Sequence, residues 1–143
     1  MGKRVAIGND HAGLELKHAL ASEVESLGFT LVNLGTDTSE SVDYPDYGQK
    51  IAQHVTSGKA DFGIAICGSG IGISIACNRI SGARAALCHT GLHAELARKH
   101  NNANVLALGA RLIGVEEAKE CVRRFLNTEF EGGRHEQRVT KLG

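Results

Sequence analysis

The chain has 143 residues, with 16 lysines and arginines balancing 16 aspartates and glutamates and 42% hydrophobic residues. That length suits one domain with a sizeable apolar core. The even charge, with no long run of either sign, excludes the basic footprint of a nucleic-acid binder and the polybasic patch of a membrane-surface protein.

Met1-Gly2-Lys3-Arg4 leads into an apolar run too short for a signal-peptide core, and no stretch approaches the length of a membrane span. The chain therefore reads as cytoplasmic. Val5-Ala6-Ile7-Gly8 suits a strand buried on both faces. Leu16, Leu20, Val24 and Leu27 repeat at helical spacing, and Gly28 is placed to end that helix. Residues 29–34 read as a second strand and 37–43 as a polar loop. Pro45 suits the first turn of a helix whose apolar stripe is Ile51, Ala52 and Val55.

Residues 62–66 form a third predicted strand, followed by the turn Cys67-Gly68-Ser69-Gly70-Ile71-Gly72 and a helix to about Asn78. Further strands are expected at 83–87 and 105–108, with a helix at about 92–99 between them. Ala118, Val122 and Phe125 mark a last long helix, and Gly132-Gly133 releases a short charged tail. Strand–helix alternation implies right-handed crossovers and a parallel sheet covered on both sides. The expected fold is α/β: a three-layer α/β/α sandwich around a five-stranded parallel, Rossmann-like sheet. Ligands bind such sheets beyond the carboxyl ends of the strands.

The segment 67–72 carries the most chemistry. Its three glycines let backbone N–H groups approach a ligand at a helix start, where the dipole favours negative charge. A thiol at its head feels the same field, and Ser69 adds a hydroxyl. A tight strand–helix turn with a buried cysteine would look the same. A dinucleotide fingerprint would need glycine where Ile73 stands, and no Walker lysine follows.

Asp10-His11 follows the first strand, where the pair could shuttle a proton or hold a sugar or phosphate, or Asp10 could simply cap a helix. His100-Asn101 ends a helix, a place where histidine is also an ordinary cap. Arg134 and Arg138 would share one face if the tail is helical, and two guanidinium forks suit a phosphate; a solvated terminal helix is the plainer reading. The four cysteines form no CxxC pair, and His89 and His93 lack an HExxH or a carboxylate cluster, so no metal site is expected.

Five ordered motifs together resemble the type B ribose-5-phosphate isomerases of the ribose/galactose phosphate isomerase group. They are Asn9-Asp10-His11-Ala12-Gly13, Ser41 to Tyr47 through Tyr44-Pro45, and Cys67 to Gly72 with Ile75-Ala76-Cys77-Asn78-Arg79. His100-Asn101-Asn102-Ala103-Asn104-Val105 and Glu131-Gly132-Gly133-Arg134-His135-Glu136-Gln137-Arg138 complete them.

The resemblance implies an aldose–ketose isomerase of the pentose phosphate pathway, with Cys67 moving a proton between C1 and C2. Gly68, Ser69, Gly70, Ile71 and Gly72 would stabilise the enediolate oxygen. His100, helped by Asp10, would open the sugar ring. Tyr44 and Asn101 would hold sugar hydroxyls, and His11, Arg111, Arg134 and Arg138 the phosphate.

No cofactor or metal is implied. A homodimer or dimer of dimers would share the site, with the tail from about residue 129 packing on a neighbouring subunit. One branch of the family uses glutamate where Ile73 stands here and lacks the cysteine, so this chain resembles the cysteine branch. Six-carbon substrates such as allose or galactose 6-phosphate, and a non-catalytic phosphometabolite-binding protein, are the alternatives.

Overall fold

A computed structural model describes residues 2–143. Five strands, β1 (Arg4–Asn9), β2 (Thr30–Asn33), β3 (Phe62–Cys67), β4 (Ala85–Leu87) and β5 (Val105–Gly109), form one parallel sheet in the order β2-β1-β3-β5-β4. Between and after them lie α1 (Leu14–Ser26), α2 (Tyr44–Thr56), α3 (Ile71–Asn78), α4 (Gly91–Asn101), α5 (Val115–Asn127) and α6 (Arg134–Leu142). The three-layer α/β expectation holds. Two details differ. The fourth strand begins later than expected because the Arg84 N–H bonds the Asn104 side chain instead of a neighbouring strand. The charged tail is an ordered helix, α6, whose His135 and Val139 are buried.

The two faces of the sheet are sized differently, and the sequence alternation sets this. Val5, Ile7, Ile64, Ile66, Leu106 and Leu108 project bulky groups toward α1, α4 and α5. The opposite face carries Ala65, Cys67 and Ala107 under α2 and α3. Gly8 and Gly63 allow that close approach: a Cβ would lie 2.8 Å from Ile51 at the first and 2.5 Å at the second. Cys67 is therefore delivered on the face with small side chains, where α3 can start close above it.

Lys17 is buried within α1, on the same side of the helix as Leu20 and Val24. Its ammonium donates to Asn33 Oδ1 (3.1 Å), to the Thr36 carbonyl and to Asp37 Oδ1 (2.7 Å). The same loop meets the end of β1, where Thr36 N–H donates to the Asn9 carbonyl at 2.9 Å. The lysine thus ties the loop after β2 to the edge where β1 ends. The Lys17 hydrogen bond, then that of Asn33, holds the Asp37 carboxyl below its ordinary value.

Replacing Lys17 with methionine keeps the packing of the stem and removes the donors, and should cost about 1–3 kcal/mol in chemical denaturation. A carboxylate with a lowered folded pKa contributes stability above its unfolded value, about pH 3.9, that is lost as pH falls through the folded one. K17M should therefore show a flatter decline of stability below about pH 4 than the native chain. Unchanged stability in K17M would show that the network contributes nothing.

Candidate active site

The chain leaves β1 toward β2 and returns across β1 to β3, so the crevice at the carboxyl ends of β1 and β3 is the topological switch point. Asn9 is level with Ile66, and the Asp10 N–H donates to the Ile66 carbonyl at 3.1 Å. Asp10 and Cys67 consequently emerge side by side. A cleft of about 520 Å³ opens there, lined by Asp10, Tyr44, Cys67, Gly68, Ser69, Ile71, Gly72 and Arg111, with Ile75 and Leu112. A larger groove beside Asp43, Gln49 and Lys50 is lined by neither a thiol nor a histidine. Volume alone does not mark the site.

Cys67 is buried yet forms part of this cleft, and its Sγ accepts the Gly70 N–H at 3.2 Å. A backbone donor is therefore directed at the sulfur. Gly70 has φ +77°, and a Cβ there would lie 2.8 Å from the Leu108 carbonyl carbon. Only glycine satisfies both demands.

Ser69 Oγ accepts the Ile71 N–H at 3.2 Å, which leaves its own hydrogen free to donate. A Cβ on Gly72 would meet the Tyr44 ring at 2.5 Å, and one on Gly68 would meet the Arg111 guanidinium at 3.3 Å. Those two glycines let an aromatic ring and a cation close over the loop.

Asp10 both caps and lines: Oδ1 accepts the Ala12 N–H at 3.0 Å at the turn His11–Gly13, while the residue borders the cleft. His11 Nδ1 accepts the Val42 N–H at 3.2 Å. In its neutral form the ring therefore carries its proton on Nε2.

The other half of the expected site lies elsewhere. β5 runs parallel to β3, with Val105 level with Gly63 and Gly109 level with Cys67. His100 and Asn101 close α4 just before β5 begins, so they sit at the amino edge of the sheet, about four residues, or roughly 13 Å, of strand away from Cys67. Asp10 belongs to the carboxyl edge and does not meet His100 within one chain.

α6 packs at the amino edge too, with Arg134 and Arg138 exposed and the His135 ring stacked on His100 at 4.3 Å between centroids. Sequence reasoning passed over Lys17, Glu131 and His135. Lys17 could have been found as the lysine three residues before Leu20 on an apolar stripe; His135 had no signal except its motif.

His100, Glu131 and His135 offer donor atoms within 4.8 Å of one another. The two rings lie 15° from parallel, however, so their in-plane lone pairs run alongside each other and do not converge on one ion. As arranged, this is a pair of stacked rings with the Glu131 carboxylate 3.5 Å from His135 Nε2. Burial, then His100 and Arg134, lowers the His135 pKa.

All four cysteines are free thiols. Burial pushes Cys77 and Cys88 up to about 12 and Cys121 up to about 11. Among the described residues no helix is long and apolar enough to cross a membrane.

The Ribose/Galactose Isomerase family model matches residues 5–142. The chain is 46% identical to ribose-5-phosphate isomerase B of Escherichia coli strain K12, over 98% of this chain and 94% of that protein. It is 44% identical to D-erythrulose-4-phosphate isomerase of Pectobacterium atrosepticum, over 97% of this chain and 92% of the relative. A solved ribose 5-phosphate isomerase from Thermotoga maritima superposes with a TM-score of 0.96 at 50% identity, covering 99% of this chain and 98% of the other.

With these likenesses over its whole length, the chain is an isomerase. The chain belongs to the ribose/galactose isomerase family. Membership sets aside the reading of a non-catalytic phosphometabolite binder.

At pH 8, thiol labelling of the native protein should show one fast cysteine and three slow ones, because thiolate fraction and access govern the rate. Cys67→Ala should remove the fast phase. A fast phase that survives in that variant would mean the cleft does not expose Cys67 to reagents.

Proposed function

We propose that this isomerase interconverts ribose 5-phosphate and ribulose 5-phosphate through an enediolate. The observation that carries the reading is the Cys67 sulfur in the cleft, with the Gly70 N–H directed at it. The thiolate takes the C2 proton of the open-chain aldose and the electron pair moves onto O1, giving the enediolate. The C2 hydroxyl proton then passes to O1 as the C2 carbonyl forms, and the thiol returns its proton at C1.

A proton alpha to a carbonyl is a weak acid, so the developing anion has to be stabilised as it forms. The amides at the start of α3 and the Ser69 hydroxyl do this, at about 2.7–4 kcal/mol for an important donor. A positioned base typically adds a factor of about 100 to 10,000. Every proton in this scheme is accounted for by side chains and substrate, and the oxidation of C2 balances the reduction of C1, so no external oxidant or reductant is needed.

Ring opening falls to His100, and hydroxyl binding to Tyr44 and Asn101. The phosphate goes to His11 and Arg111 on one side and Arg134 and Arg138 on the other. These groups come from opposite edges of the sheet, so the reading requires a homodimer or a dimer of dimers. His100, Asn101 and the α6 arginines then come from the partner and stand near this chain's Asp10.

Ile71, Ile75 and Leu112, all more than half exposed at the mouth of the cleft, support such a partner. Unpaired thiols suit a cytoplasmic setting. The activity for which the E. coli and Thermotoga relatives are named supports a five-carbon substrate, and that of the Pectobacterium relative a four-carbon one.

Parallel assays on ribose 5-phosphate, erythrulose 4-phosphate, allose 6-phosphate and galactose 6-phosphate test the substrate; a higher kcat/KM on any of the last three would displace the pentose. Cys67→Ala should lose at least about 100-fold in kcat while still binding ribose 5-phosphate. Turnover close to native would remove Cys67 from the base role.

Arg138→Ala should raise KM about ten-fold or more with little change in kcat, as expected for a charge-assisted phosphate contact. The shared site is tested by subunit exchange between inactive Cys67→Ala and His100→Asn chains. Random mixing should recover about a quarter of native activity, because half the dimers carry one intact site. No recovery would place the whole site within one chain.

A further inference from the structure

The tail does not hang free from the end of α5. Arg98 Nε donates to the Thr128 carbonyl at 3.1 Å, and the Glu131 N–H donates to the Lys99 carbonyl at 3.1 Å. These bonds pin the connecting segment to the last turn of α4. Gly132 and Gly133, with φ +68° and +55°, then turn the chain sharply, and the His135 N–H closes the turn on the Gly132 carbonyl at 3.0 Å. The outcome is one buried ring laid flat on another: His135 is 7% exposed and stacks on His100.

We propose that His135 is a positioning residue that holds the His100 ring in the plane from which it acts on the sugar. The inference rests on the reading of His100 as the ring-opening acid and base. An imidazole at the end of a helix has two free side-chain torsions and samples several rotamers. A parallel ring on one face removes that freedom while leaving the edge, where the nitrogens are, open to a substrate.

The geometry also argues against His135 as a phosphate ligand. Its Nε2 faces the Glu131 carboxylate at 3.5 Å, and an anion brought there would meet like charge. Arg134 and Arg138, by contrast, are exposed.

The charged groups around His135 are His100 from α4, Arg134 and Arg138 from α6, and Glu131 from the connecting segment. Burial and these cations favour a neutral His135. A neutral partner lets the stack accept a proton on His100 without setting two cations face to face.

The test compares kcat and KM on ribose 5-phosphate for His135→Ala, His135→Phe and His100→Asn, with the folded fraction of each measured by thermal melting. His135→Ala should lower kcat about ten-fold or more while KM stays within about two-fold, the signature of a misplaced catalytic group. His135→Phe stacks but neither ionises nor bonds Glu131, and should return kcat to within about three-fold of native.

A KM rise shared by both variants would make His135 a phosphate ligand and overturn the proposal. So would equal kcat losses in Ala and Phe, or native kcat in Ala. Native kcat in His100→Asn would remove the reading beneath the proposal; a slow His100→Asn beside a native His135→Ala would reject the inference alone.

Discussion

The site depends on two backbones pressed together at the end of β5. A Cβ on Gly70 would lie 2.9 Å from the Gly109 nitrogen, and one on Gly109 would lie 2.5 Å from the Ser69 carbonyl oxygen. Nothing but glycine fits on either side of that contact. With the two segments in touch, the loop folds down over the end of β3, and the Gly70 amide has the Cys67 sulfur as its acceptor. The same descent sets Gly72 beneath the Tyr44 ring and Gly68 beneath Arg111. One side chain inserted into this contact would lift the loop, and the sulfur, the ring and the guanidinium would lose their places together.

A second constraint comes from the direction of the strands. In a parallel sheet every strand ends at one edge and every crossover helix ends at the other. Cys67 and Asp10 follow strands, whereas His100 and Asn101 finish a helix. Chain polarity alone separates Cys67 and Asp10 from His100 and Asn101. The proposed shared site would have to bring the two sets together between copies of the chain, and Ile71, Ile75 and Leu112 leave an exposed apolar rim around the cleft. In the order β2-β1-β3-β5-β4 the strand β3 is central, and α6 packs on α4.

Much of this was legible in the residues. Alternation of apolar runs with helical stripes located all five strands and five of the helices, because strands buried on both faces leave an unmistakable run of aliphatic residues. The glycine turn was legible since its positions demand what only glycine supplies. α6 was harder: its apolar face reduces to His135 and Val139 within a charged segment, and periodicity has little to register there. Lys17 was missed because a buried lysine breaks the correlation between charge and exposure, and three oxygens from a distant loop are what make it tolerable.

Sequence by itself determined the sheet, the loop chemistry and the family motifs, since these follow from local backbone freedom and from which side chains leave water. It also placed Cys67 after a strand and His100 at the end of a helix. Only the tertiary structure decided that Asp10 stands beside Cys67, that Gly70 aims its amide at sulfur, and that His135 lies across His100. Those relations join residues far apart along the chain. They are set by strand order and by close packing, neither of which has a local signature.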